Sequence, residues 1–239
     1  LGNLSFGQFG GTHGLGQVLA DVHDDIPHDA DLVVVGNPTN PTSVLHPATD
    51  VLDLRADGRL LVVDEAFADL APGESVADQS RDDVVVLRSV TKTFGLAGLR
   101  AGYLLAAPPV IAELTRSRRS WPVGSPVLAA LRACAGPLGR AYVEAAAARV
   151  VADRAYLCQR LTAAGLHLPV EPAAPFVLVR HARASQIRVA LARRGFAVRS
   201  AENFTGLGPE YLRFAVRAPD VVDDLSRALE SVLEEVGSD

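Results

Sequence analysis

The stretch that decides the fold is residues 84–106, VVVLRSVTKTFGLAGLRAGYLLA. Its apolar start, residues 84–87, predicts a buried strand, and polar residues with one lysine follow at the carboxyl end. A second apolar run starts at Ala101 after a connection too short for a full helical crossover, so we expect the two strands to be antiparallel. This stretch therefore predicts the edge of a mixed sheet.

Two earlier segments repeat the pattern of an apolar strand that ends in polar residues. Residues 31–36 lead into a turn at residues 37–42 that is rich in Asn and Pro, and residues 60–63 lead into Asp64. The intervening spacers are long enough for right-handed crossovers, so these strands are expected to run parallel. Ligands of open α/β sheets bind at the carboxyl edge, where these polar residues are predicted to meet.

Lys92 is the reactive candidate at this edge. A lysine becomes a nucleophile when desolvation or a neighbouring cation removes its proton, and the neutral amine can then form a Schiff base with a carbonyl group. Ser89, Thr91 and Arg100 lie close to it in sequence and supply hydrogen-bond donors for an anion such as a phosphate.

Each of these signals has an ordinary explanation when it stands alone. Lys92 fits a surface lysine after a strand, Asp64 fits the metal-site acid of an ATPase, and Asn40 can cap a turn through its side chain. An ATPase also needs the phosphate loop G-x-x-x-x-G-K-[ST], which is absent from these 239 residues. The three signals in this order indicate one cofactor site instead.

Four motifs, N-P-T-N-P-T, D-E-A-F, S-V-T-K and G-L-A-G-L-R, together resemble the signature set of fold-type I enzymes of the pyridoxal-phosphate-dependent aminotransferase superfamily (class I/II). The resemblance covers roughly residues 30–235. Within the superfamily, the chain is most similar to the branch that contains histidinol-phosphate aminotransferases and the threonine-phosphate decarboxylases of the cobalamin pathway.

The resemblance implies a cofactor, pyridoxal 5'-phosphate, and a role for each motif residue. Asn40 would hydrogen-bond the phenolic oxygen of the cofactor, Asp64 would pair with its pyridine nitrogen, and Lys92 would form the Schiff base. The phosphate would be held by the donors named above, Ser89, Thr91 and Arg100. A carboxylate beside the ring nitrogen keeps it protonated, and the protonated ring withdraws electrons from the substrate α-carbon.

Phe67 departs from the pattern of the aminotransferases, which usually have a tyrosine three residues after the aspartate. Because the same D-E-A-F spelling is common in the decarboxylase branch, it favours that branch. The resemblance also implies that Arg213 binds the substrate carboxylate and that Arg199 lies near a substrate phosphate. The alternative is that arginines on a small sheet form ordinary ion pairs. The predicted substrate is a small amino acid or amino phosphate.

The predicted fold class is α/β, with a mixed, mostly parallel sheet flanked by helices and a small C-terminal α+β domain. We expect a cofactor-binding large domain at residues 1–136, a connecting helix at residues 137–165 and the small domain at residues 166–239. In the small domain, strands are predicted over residues 175–179, 196–199 and 211–216. The large domain is expected to be incomplete, because the glycine-rich residues 1–16 do not match the phosphate loop of such enzymes.

Composition narrows the class of protein further. A hydrophobic content of 49% indicates a globular chain, and a net charge of −5 argues against nucleic acid as the partner. Cys134 and Cys158 lack metal-ligand spacing, so we predict no metal and a reducing, cytoplasmic location. No signal peptide or membrane-length apolar run is visible in this sequence. The resemblance implies a homodimer.

The best functional prediction is decarboxylation of L-threonine O-3-phosphate in cobalamin biosynthesis. The alternative reaction is amino transfer with histidinol phosphate or a similar amino acid. A second alternative is a non-catalytic remnant of the same fold.

Overall fold

The structure, a computed structural model, describes residues 26–27, 29–79 and 82–237, together with the backbone of Gly7–Phe9. Apart from that strand, the glycine-rich segment at residues 1–16 lies outside the described residues. The chain divides into two compact units. Among the described residues, the first holds residues 45–148 and those before Thr39, and the second holds residues 39–44 and 149–237.

The first unit contains a five-stranded sheet in sequential order. Its strands are Gly7–Phe9 (β1), Leu32–Gly36 (β2), Leu60–Asp64 (β3), Val84–Ser89 (β4) and Gly102–Leu105 (β5). Strands β1 to β4 are parallel to one another, and β5 is antiparallel to β4. The predicted mixed sheet is therefore confirmed, and β1 is an additional strand that the sequence did not indicate.

In the described part of the chain, the first unit has four short α-helices and part of a long one. They are Ala48–Leu52 (α1), Val90–Thr93 (α2), Pro108–Arg116 (α3) and Ser125–Ala135 (α4), followed by Pro137–Ala163 (α5), which continues into the second unit. The core forms where alternate residues of β2 and β3 point inward, and Val33, Val35, Leu61 and Val63 are at most 1% exposed. This packing fixes the register of the strands whose ends carry the predicted site.

The second unit has a three-stranded antiparallel sheet of order β6-β8-β7. Its elements are Phe176–Arg180 (β6), Ala184–Arg193 (α6), Arg199–Ser200 (β7), Tyr211–Ala215 (β8) and Pro219–Gly237 (α7). Leu157 and Leu161 of α5 join its core with residues of β6, β8, α6 and α7. The predicted α+β character is confirmed.

One predicted strand of the second unit was wrong in position and length. Residues 196–199 were expected to form it, but pairing is limited to Arg199 and Ser200. Phe196 and Val198 instead pack, partly buried, against the core of the unit. Their alternation therefore reflects side-chain packing rather than strand pairing.

Candidate active site

The carboxyl ends of β2, β3 and β4 meet at one edge of the first unit, as predicted. Gly36 is the register partner of Asp64, and Asp64 is the partner of Leu87. Backbone pairing extends one residue further, since Asn37 N donates to Asp64 O at 3.0 Å and Glu65 N donates to Leu87 O at 2.9 Å. Asp64 therefore ends the middle strand of the three.

The side chain of Asp64 is at the surface of this edge. Its Oδ1 accepts a hydrogen bond from Ala66 N at 3.1 Å, which turns the chain sharply after β3. The exposed carboxylate can still accept a further donor, because a carboxylate offers about four acceptor positions. Phe67 follows the turn and begins the 3₁₀ helix Ala68–Leu70.

Lys92 lies in α2, the single helical turn that follows β4. Ser89 caps this turn by accepting from Thr91 N at 3.3 Å, and the hydroxyls of Ser89 and Thr91 lie 2.7 Å apart. The ammonium of Lys92 is 5.5 Å from the ring centroid of Phe67, a cation–π distance. The structure thus brings the chain exit of β3, which carries Asp64 and Phe67, next to that of β4, which carries Lys92.

Arg100 is placed apart from these contacts. Its backbone is left-handed, with φ of 49°, and its exposed guanidinium donates to Ala97 O at 3.3 Å. Within the described part of the chain, no hydrogen bond or ion pair joins Arg100 to Ser89, Thr91 or Lys92. A shared phosphate would require its side chain to change rotamer.

Asn40, Arg199 and Arg213 belong to the second unit. Arg213 Nη1 donates to Asn40 Oδ1, which links the loop after β2 to β8. Because the oxygen of this amide accepts from Arg213, its nitrogen is the atom through which Asn40 can donate to another group. The role of Asn40 towards the cofactor stays a prediction.

Arg199 and Arg213 are register partners on neighbouring strands. Their guanidinium carbons lie over aromatic rings, Arg213 at 4.9 Å from the centroid of Phe176 and Arg199 at 5.3 Å from that of Phe204. Burial lowers the pKa of Arg213 from its ordinary value, and the positive charge of Arg199 lowers this pKa further. Among the residues described, neither arginine forms an ion pair with a carboxylate.

Two like charges directly opposite each other destabilise a pair of strands. A bound anion would offset this repulsion, since guanidinium groups bind carboxylate and phosphate oxygens in a bidentate manner. The ordinary alternative, in which these arginines only form ion pairs within the protein, has no carboxylate partner among the described residues. The arrangement therefore suits an oxyanion ligand.

Asn37 is a supporting residue that the sequence did not single out. It is 1% exposed, and its amide nitrogen donates to His46 O at 3.0 Å and to Glu74 O at 3.2 Å. Its amide oxygen accepts from His46 N at 2.9 Å. The repeated Asn-Pro pair at residues 37–41 was the available signal, since buried turn asparagines commonly bind the backbone.

Across the described ranges, no group of His, Cys, Asp and Glu residues is arranged to hold a metal ion. The helices within those ranges are all too short or too polar to cross a membrane.

Residues 12–232 match the family described as "Aminotransferase class I and II", and the chain belongs to this family. A histidinol-phosphate aminotransferase of Mycobacterium tuberculosis (strain H37Rv) is 54% identical over 202 residues, which cover 84% of this chain and 55% of the relative. A threonine-phosphate decarboxylase of a Sinorhizobium species is 35% identical over 207 residues, which cover 84% of this chain and 59% of the relative. The chain spans a little more than half the length of these relatives.

A solved structure extends the comparison to the fold. Histidinol-phosphate aminotransferase from Sinorhizobium meliloti, determined in complex with pyridoxal 5'-phosphate, matches with a TM-score of 0.75 and 25% identity. The match covers 93% of this chain and 62% of that structure. The predicted superfamily and fold class are confirmed, and the family is one of enzymes.

Proposed function

We propose that this chain binds pyridoxal 5'-phosphate through Lys92 and acts on a phosphorylated amino acid. The observation that carries the proposal is the approach of Lys92 to Phe67, within 5.5 Å, beside the strand that ends in Asp64. This edge of the first unit offers an amine for the aldehyde, a carboxylate for the ring nitrogen and hydroxyls for the phosphate. These chemical groups are of the types that the cofactor requires.

When bound, the cofactor supplies a protonated ring that withdraws electrons from the α-carbon of the substrate amine. Asp64 holds the proton at the ring nitrogen, because its negative charge favours the protonated form. Lys92 would hold the cofactor through its amine, and the same amine could move a proton to or from the substrate once the substrate amine has displaced it. One of the Ser89 and Thr91 hydroxyls donates to the other, so the accepting hydroxyl keeps its proton for a phosphate oxygen and the donor would have to give up this bond to do the same.

The arginine pair of the second unit supports a substrate with two oxyanions. L-Threonine O-3-phosphate carries a carboxylate and a phosphate, which Arg213 and Arg199 match one to one. Histidinol phosphate carries a phosphate and no carboxylate. This difference, together with the missing hydroxyl at Phe67, leads us to propose decarboxylation of threonine phosphate, a reaction of cobalamin synthesis.

Amino transfer is the second candidate, and the 54% identity to a histidinol-phosphate aminotransferase favours it. Both relatives are named for a phosphorylated amine, so the phosphate is common to the two candidates. The outcome depends on which bond at the α-carbon stands perpendicular to the cofactor ring, and the anchoring of the oxyanions sets this orientation. A homodimer and a cytoplasmic location remain predictions.

The first experiment tests cofactor binding. The protein is incubated with pyridoxal 5'-phosphate, reduced with borohydride and mapped by mass spectrometry, with Lys92→Arg as the control. The expected result is a cofactor adduct on Lys92 in the wild-type chain and none at this position in the variant. Lys92 is the only lysine of the 239 residues, so the remaining amine is the α-amino group. An adduct on the α-amino group alone, or none, would contradict the proposal and favour a non-catalytic remnant.

The second experiment tests the reaction. Release of carbon dioxide from L-threonine O-3-phosphate is compared with amino transfer from histidinol phosphate to a keto acid. Decarboxylation should be the faster reaction, and Arg213→Gln should raise the KM for threonine phosphate by at least about tenfold, since a charge-assisted hydrogen bond contributes about 1.5–3 kcal/mol. Amino transfer without decarboxylation would overturn the branch and leave the cofactor proposal intact.

A further inference from the structure

A buried chain of polar contacts lies behind the candidate site in the first unit. It starts at Glu65, the residue after Asp64, whose side chain is 0% exposed. Glu65 accepts from Ser75 Oγ at 2.8 Å and from Val76 N at 2.7 Å, and it lies 2.9 Å from Arg88 Nη2. Since neighbouring strand residues point to opposite faces, Glu65 enters the interior where Asp64 faces outward.

Arg88 continues this chain towards Lys92. Its Nη1 lies 2.5 Å from Asp69 Oδ1, and the other oxygen of Asp69 accepts from Thr93 Oγ1 at 2.9 Å. Arg88 is 14% and Asp69 22% exposed at the side chain, and Thr93 is 4% exposed. The contacts Glu65–Arg88–Asp69–Thr93 therefore join the residue after Asp64 to the residue after Lys92.

A gain in stability does not by itself explain why Glu65, Arg88 and Asp69 lie together in this partly buried position. Removing charges from water costs free energy that their attraction often fails to recover, and apolar residues of similar volume are commonly as stabilising. Strands β3 and β4 are already joined by their own backbone ladder. The additional effect of the ionic chain is to fix side chains and loops relative to one another.

The turn that bears Lys92 needs such an external restraint. Helix α2 has four residues, Val90–Thr93, and an isolated helix of this length is unstable because few hydrogen bonds offset the ordering of its backbone. Its amino end is capped by Ser89, and its last residue is held by Asp69 through the Thr93 hydroxyl. Loss of the second contact would leave the Lys92 turn held at one end.

We propose that Arg88, Asp69 and Thr93 are positioning residues that fix the turn of Lys92 against the exit of β3. The proposal rests on the proposed function, because it concerns the placement of the cofactor lysine. A displacement of about 1 Å in a reacting group can cost a hundredfold in rate, so a restraint on this turn has a measurable consequence.

Thr93→Val tests the chain at its last link, because valine keeps the shape of threonine and removes the hydroxyl. Thr93→Ser restores the hydroxyl and serves as the rescue variant. Asp83→Asn is the matched control, since it removes the negative charge from a partly exposed pair of the same unit, in which Arg55 Nε lies 2.7 Å from Asp83 Oδ2. All three variants are made in the full chain.

Two measurements are compared among these proteins. The first is hydrogen exchange at the amide of Phe94, which donates to Val90 O at 3.2 Å and closes the turn. The second is the rate at which Lys92 is captured by pyridoxal 5'-phosphate and borohydride. In Thr93→Val, exchange at Phe94 should be about tenfold faster and capture about tenfold slower, as expected for one lost hydrogen bond to a charged group. Thr93→Ser and Asp83→Asn should stay within about twofold of the wild type.

Unchanged exchange at Phe94 in Thr93→Val would overturn the proposal, and so would faster exchange spread evenly over the first unit. Faster exchange at Phe94 with unchanged capture would also overturn it. If Lys92 of the wild-type chain is not captured at all, the proposed function fails. The exchange measurement then decides alone whether the contact holds the turn.

Discussion

Replacing Arg59 by methionine is expected to destabilise the first unit and to leave the cofactor site unaffected. Arg59 is 7% exposed and lies before β3, at the end of the sheet opposite to Asp64. Its Nε donates to Ala30 O at 3.1 Å, its Nη1 to Leu54 O at 3.0 Å and its Nη2 to Pro27 O at 3.1 Å. One guanidinium thus ties two separate backbone segments, the turn at residues 27–30 and the chain at Leu54, to the start of β3.

Methionine keeps an unbranched stem that ends about where Nε lies, and it removes all three donors. The bonds to Ala30 and Leu54 are buried, and each buried carbonyl left without a donor costs about 1–3 kcal/mol. The third bond is partly buried and contributes less, and the removal of a charge that is costly to bury offsets part of the sum. We therefore expect the free energy of unfolding to fall by about 3 kcal/mol.

Urea unfolding followed by circular dichroism measures this change. The control is Arg55→Met, which removes a partly exposed ion pair with Asp83 and should cost less than about 1 kcal/mol. Capture of Lys92 by the cofactor under native conditions should be the same in Arg59→Met as in the wild type. A loss of stability equal to that of the Arg55 control would refute the reasoning about buried acceptors.

Two further predictions concern pH and close packing. Burial lowers the pKa of His46, and the charge of Asp50 opposes this only in part, so the unfolded chain binds more protons once the pH falls below about 6.5. Stability should therefore decrease between pH 7.5 and 5.5, and His46→Leu should flatten this slope in urea titrations; an unchanged slope would contradict the assignment. Gly102→Ala would place a Cβ at 2.6 Å from the backbone oxygen of Arg88. We therefore expect the free energy of unfolding, measured by thermal unfolding, to fall by about 1–3 kcal/mol. Gly98→Ala, which meets no atom within 4 Å, is its control, and equal melting of the two variants would show that β5 can shift without cost.

Much of the first unit could be predicted from the sequence because its strands are marked in two independent ways. The apolar runs of β2, β3 and β4 end in polar residues, and the length of each connection decides the direction of the next strand. Strand β1 could not be predicted, since its three residues lie in a glycine-rich segment without an apolar pattern. Strand β7 was misplaced because partly buried residues before it alternate as strand residues do.

The candidate site was predictable in its residue types and not in its contacts. The sequence indicates that Asp64 ends one strand and that Lys92 follows the end of the next. Because parallel strands share one carboxyl edge, the two residues were expected to lie at the same edge. The rotamers that bring Ser89 onto Thr91, and turn Arg100 towards Ala97, depend on the local backbone and leave no trace in the sequence. Whether Arg100 contributes to a phosphate site is therefore decided by experiment rather than by motif.

The residues that break the usual rules of stability are the most informative about function. Arg199 faces Arg213 across two strands, where an acidic residue or an apolar pair would be more stable. Glu65, Arg88 and Asp69 bring charges into an interior that apolar side chains could fill. We propose that binding of an anion recovers the cost in the first case, and that a fixed position of the Lys92 turn offsets it in the second. Such local violations have a physical cost in the chain without a ligand, so they direct the search for function to the ligand or the geometry that would offset this cost.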